Sequence, residues 1–141
     1  MKRALTSVVG AMVAFVLAGS THAATKNPAI GGYCPVAYVK MGKAVKGDAR
    51  WSSERDGQVF LFSAPQAKEL FDKSPDQFRI AYHGYCATGV AMGKKIASNP
   101  ELCTVHKGVT YLFSSTEAKG MFDKDADGTI AKADRNWPTL H

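Results

Sequence analysis

"DGQVFLFSAPQAKELFDK" occupies residues 56–73, and "KGVTYLFSSTEAKGMFDK" occupies 107–124. The two stretches align without a gap, 51 residues apart. The likeness extends backwards. Gly32-Tyr33-Cys34 answers Gly84-Tyr85-Cys86, and Met41-Gly42-Lys43 answers Met92-Gly93-Lys94, at offsets of 52 and 51. Self-similarity at a fixed period signals a repeated structural unit.

Each copy reads in the same order. A loop carries Gly-Tyr-Cys. A strand is predicted next, over 50–55 in the first copy and 102–106 in the second. Asp56-Gly57 and Lys107-Gly108 are turn dipeptides, the former being the stronger hairpin signal. "QVFLFS" and "VTYLFS" follow as second strands, rich in β-forming residues. A helix then begins. Ser63 with Gln66, and Ser114 with Glu117, have capping-box spacing. Ala67, Leu70 and Phe71 are expected on one buried face, as are Ala118, Met121 and Phe122. Pro75 opens a short further turn toward Phe78. One hairpin with one helix is marginal alone, so two copies must share a core. The expected fold class is α+β, two pseudo-equivalent hairpin-plus-helix units packed into one small domain. The first half spans 24–80. The second spans 81–141 and ends in a helical tail.

The N-terminus sets the expected compartment. Met1-Lys2-Arg3 is a short basic start, residues 4–17 are mostly apolar, and Ala18 to Ala23 is a small-residue exit. This is the pattern of a secretory signal peptide over 1–23. The apolar run is too short for a membrane span. Loss of Lys2 and Arg3 takes the formal charge from +6 to +4 and leaves 118 of 141 residues, enough for one packed domain. A periplasmic or secreted protein is expected, with no membrane span after cleavage. The remaining cations are scattered, which argues against nucleic acid as a partner.

"GYCPVAYVKMGKAVKGD", "FLFSAPQAKELFDKSPDQF", "YHGYCATGVAMGK" and "IAKADRNWP" together resemble exported bacterial proteins of the YHS-domain family, over about residues 31–138. The YHS and TRASH-like resemblance implies a small metal-binding or metal-sensing module, often near copper transport. It maps the family's early cysteine onto Cys34 and Cys86. The family's later Cys-x-x-x-Cys falls on Ser63 and Ala67, and on Ser114 and Ala118, so a closed tetrahedral thiolate site within one half is ruled out by residue type.

Three cysteines, Cys34, Cys86 and Cys103, are an odd number for an oxidising compartment. Cys34 and Cys86 occupy matched loops. Two thiolates with His83 and Met92 as auxiliary donors would suit copper as Cu(I). The same thiols could instead form a disulfide or cycle through one, or be inert buried residues. Alternation along the strand puts Cys103 and His106 on opposite faces. Separately, "DKDADGTIAKAD" (123–134) fits a calcium loop of EF-hand type: Asp123, Asp125 and Asp127 as a ladder, Gly128 at the turn, Thr129 offering a carbonyl, Asp134 closing. Its competitor is a solvated acidic turn capping a helix that starts near Thr129.

The leading expectation is therefore a small exported metal-binding protein, a copper carrier or buffer with a metal ion, and in some settings a periplasmic protein, as its partner. The alternatives are an interaction module presenting Tyr33, Tyr38, Tyr82 and Tyr85, or a thiol-redox protein. No enzyme constellation of diagnostic spacing is present, so catalysis is not expected.

Overall fold

The computed structural model describes residues 26–141, so the expected signal peptide lies outside the described residues. The structure is mixed α and β. Its elements run α1 (Pro35–Met41), β1 (Asp48–Arg55), β2 (Gln58–Phe62), α2 (Pro65–Lys73), α3 (Ala87–Ala91), β3 (Asn99–His106), β4 (Val109–Phe113), α4 (Thr116–Lys124) and α5 (Ala126–Asn136). Short 3-10 turns lie at Ala29–Gly32, Pro75–Phe78, Ala81–Gly84 and Trp137–Thr139.

The strands form two separate antiparallel pairs, β1–β2 and β3–β4. Arg55 pairs with Gln58 and His106 with Val109 at the two tips. Asp56 and Gly57 both have positive φ (51° and 75°), as do Lys107 and Gly108 (49° and 78°). Two left-handed central residues match the right-handed strand twist, so both dipeptides close two-residue hairpins. Both first strands start earlier than expected, at Asp48 and Asn99, and both carry a register shift before Ser52 and Cys103.

Two expectations about the helices need correction. The capping serines are not Ser63 and Ser114. Helix α2 starts after Ala64, which offers no side-chain cap, and Pro65 at its first position supplies the helical φ without needing an N–H partner. Helix α4 is capped by Ser115, whose Oγ accepts the Ala118 N–H at 3.1 Å. Nor are Leu70 and Met121 core residues: they are 43% and 56% exposed. Each helix seats on its hairpin through an i, i+4 pair, Ala67 with Phe71 and Ala118 with Phe122. The residue at i+3 turns away.

The core has two clusters. In the first, Phe71 packs against Phe60 and Phe62 with ring centroids 5.3 and 5.1 Å apart. In the second, Phe122 packs against Tyr111 and Phe113 at 4.9 and 5.0 Å. Burying one such ring contributes roughly 1.5–3 kcal/mol. Strand β4 serves both clusters. Tyr111 and Phe113 face its own helix, while Leu112, fully buried, belongs to the first cluster. Residues 80–86 run beside β4 through parallel bridges at Ile80–Thr110 and Cys86–Leu112. The halves are thus joined along β4. Helix α5 packs on α3, and Asn136 Nδ2 donates to the Val90 and Ala91 carbonyls at that helix's end.

Candidate functional site

The two bends before the matched cysteines have the same backbone form. Ile30, Gly31 and Gly32 have φ of 50°, 62° and 80°; Tyr82, His83 and Gly84 have 53°, 50° and 84°. Each bend is three consecutive left-handed residues. For a non-glycine residue this costs roughly 1–2 kcal/mol, so Ile30, Tyr82 and His83 are held there by their surroundings. Tyr82 is held by burial and by its hydroxyl, which donates to Asp134 at 2.8 Å. Trp137 packs against Tyr82 and meets the His83 ring edge-on at 5.5 Å. The bends touch: a Cβ placed on Gly84 would lie 2.9 Å from Ile30 Cγ2.

The bends meet, but their thiols lie in different cores. Cys34 (0% exposed) packs in the first cluster and Cys86 (1% exposed) in the second. Both are free. Each starts a short helix: Cys34 precedes α1, where Pro35 is the first residue, and Cys86 precedes α3. Cys86 Sγ accepts a hydrogen bond from Ser114 Oγ at 3.3 Å. His83 and Met92, by contrast, are exposed. The four-residue soft-metal set is therefore split between core and surface. Among the described residues no three His, Cys, Asp or Glu side chains gather as a metal group.

The expected calcium loop is a helix–helix corner. Asp123 ends on α4 and accepts from Thr104 Oγ at 2.9 Å and from Lys119 Nζ. Asp125 caps α5, accepting the Gly128 N–H at 3.0 Å. Gly128 lies inside that helix and makes no sharp turn; a Cβ there would collide with the Asp125 carboxylate. Asp127, in the first turn of α5, pairs with His106 Nε2 at 2.9 Å and Lys107 Nζ at 3.0 Å. Thr129 is helical, and Asp134 binds Tyr82. The carboxylates diverge to separate partners because Asp125 is a good N-cap and lets α5 start at Ala126, three residues before Thr129. Hydrogen bonds from His106 and Lys107 hold the Asp127 carboxyl below the usual carboxylate range, and that from Lys119 does the same for Asp123.

The tyrosines are not presented together. Tyr38 is fully buried, donates to the Pro100 carbonyl at 2.7 Å and has its pKa raised by burial. Tyr82 is buried, and its pKa is raised by burial and by Asp134. Tyr33 and Tyr85 are half-buried beneath the ammonium groups of Lys46 and Lys95, 4.3 and 4.8 Å from the ring centroids. Cys103 packs toward the first cluster and the His106 ring meets Phe122 of the second, as strand alternation requires.

His83 of the second bend also lines a cleft of about 190 Å³ beside the β1–β2 tip. Phe60, Phe71, Phe78 and Ile80 line it with Arg79 and His83, and Arg55 stands there paired with the carboxylates of Asp56 and Asp76. His83 also walls a recess of about 270 Å³ with Ile30, Gly84, Ser98 and Pro100. Among the described residues Arg79 makes no ion pair. The arrangement suits holding a ligand with an apolar body and an anionic end. Sequence reasoning did not single out Arg79. A signal was present: at the 51-residue offset of the matching stretches a cation, Arg79, stands where the later stretch has the apolar Ile130.

Among the described residues no helix is long and apolar enough to cross a membrane. No family model matches the chain, and neither a curated protein nor a solved structure matches it significantly.

Proposed function

We propose that this chain is an exported, YHS-like binding module made of two copies of one hairpin-plus-helix unit, acting in the periplasm or outside the cell and performing no catalysis. Its ligand is a small carboxylate with a compact apolar body, held in the cleft of Phe60, Phe71, Phe78, Arg79 and His83. The observation that carries this reading is a strained, exposed His83 and an Arg79 without an ion pair among the described residues, both beside an aromatic floor. Backbone strain of this kind concentrates at ligand clamps. Benzoate, followed by amide chemical shifts, is the test, with benzyl alcohol as the neutral control. Benzoate should perturb Phe78 to Gly84 first, and Arg79→Gln should weaken it about tenfold, the loss of one charge-assisted contact. Perturbations confined to other regions, or equal binding of both probes, would refute it.

A second reading, a copper carrier using Cys34 and Cys86, draws on one observation: the bends that precede the two thiols touch at Ile30 and Gly84. Cu(I) titration of reduced protein separates the readings. A large loss of affinity in both Cys34→Ser and Cys86→Ser supports copper. Unchanged affinity in both ends it.

A further inference from the structure

Methionine is ordinarily a core residue, a flexible thioether that fills gaps. Here every methionine of the described residues is outside. Met41, Met92 and Met121 are 56%, 61% and 56% exposed, and none belongs to either core cluster. The thiols show the opposite distribution. Cys34 and Cys86 are sealed in the two clusters, and the half-buried Cys103 thiol has its pKa pushed up by desolvation. In an unfolded chain thiols meet peroxide before thioethers do, because the thiolate is the stronger nucleophile.

We propose that folding inverts this order, and that Met41, Met92 and Met121 are sulfoxidation sites that take two-electron oxidants of the peroxide class ahead of all three cysteines. In each step the thioether sulfur lone pair attacks one peroxide oxygen. The O–O bond breaks, and the second oxygen takes up a proton and leaves as water. The sulfur loses two electrons and gains one oxygen; the peroxide is reduced. The product is polar, which would disrupt a core. At these three positions it meets solvent. Met41 ends α1 and Met92 follows α3, just before Gly42 and Gly93, where a Cβ would meet no neighbouring atom, so these corners have room for the added oxygen. Met121 occupies the outward position of α4 described above. The inference stands on exposure and burial alone and holds whether or not the His83 cleft binds a ligand.

Hydrogen peroxide added to the purified protein, with peptide mass mapping over time, tests it. Met41, Met92 and Met121 should each gain one oxygen while Cys34, Cys86 and Cys103 remain titratable as thiols after unfolding. The melting temperature should stay within about 2 °C, as for surface changes generally. In denaturant the order should reverse, with the thiols consumed first. The triple variant Met41→Leu, Met92→Leu, Met121→Leu should melt like the parent and take up three fewer peroxide equivalents before its first thiol is lost. Loss of Cys34 or Cys86 before the second methionine in the folded protein would overturn the proposal. So would thiols that stay inert in denaturant, or an unchanged peroxide uptake in the triple variant.

Discussion

The two halves close the same surface in different ways. In the second half, the chain leaving α4 turns at Asp125 into the eleven-residue α5, which brings Ile130, Ala133 and Trp137 onto the Tyr111–Phe122 face. In the first half, the chain leaving α2 has only Pro75–Phe78 to offer before it extends toward β4. Phe78 covers part of the Phe60–Phe71 face, and the 190 Å³ cleft lies beside it. Similar sequences therefore end in a sealed core and an open one. The difference follows from what comes next: after α2 the chain runs on toward β4, whereas after α4 it folds back as α5.

The sharpest way to break this comparison is to empty both cores. Phe122→Ala should cost about 3–5 kcal/mol, since the ring is fully enclosed and its removal leaves a sealed void. Phe71→Ala should cost about 1 kcal/mol less, because its space adjoins the cleft and opens to water. Urea melts of both variants measure this. Equal losses would mean that the cleft is no weaker a wall than α5.

A smaller effect separates the two bends. Gly84→Ala meets both a left-handed backbone and the Ile30 methyl, whereas Gly32→Ala, at φ 80°, meets nothing nearer than 3.5 Å. Both should lose about 1–2 kcal/mol from the backbone alone, and Gly84→Ala should lose more. Adding Ile30→Ala should remove the excess, a coupling that a double-mutant cycle reads directly. Additive effects would show that the bends do not press on each other.

The least effect belongs to the corner that α5 needs. Asp127 has its carboxyl pKa held down in the fold, so its contribution is present above the usual carboxylate pKa of about 3.9 and is lost as pH falls through the lower folded value. Stability should therefore decline slightly less below about pH 4 in Asp127→Asn than in the parent. The group is exposed, and added salt should shrink the difference. An identical acid limb would mean that the His106 and Lys107 contacts do not matter for holding α5.

The hairpins were legible in the sequence because their turn dipeptides and β-rich second strands act locally. The bends were not. Ile30, Tyr82 and His83 adopt left-handed backbone that their own types disfavour, so only the folded context specifies it. Helices α1 and α3 carry no helix signal in the sequence for a related reason. Valine, tyrosine, threonine and glycine are indifferent or poor helix formers, and burial of Val36, Ala37 and Tyr38, or of Ala87 to Val90, makes these short turns pack. The Asp123–Asp134 spacing satisfied a calcium template and a helix cap equally. The capping geometry of Asp125 decided between them. Matched Gly-Tyr-Cys loops carried no information on which core each sulfur would enter.

The dual allegiance of β4 bears on how the molecule comes apart. With Leu112 seated among the partners of Phe60 and Phe62, the C-terminal hairpin cannot loosen without opening the N-terminal core as well. Calorimetry should therefore record one heat-absorption peak, with van't Hoff and calorimetric enthalpies in agreement. Neither hairpin with its helix, expressed by itself, should give a cooperative transition.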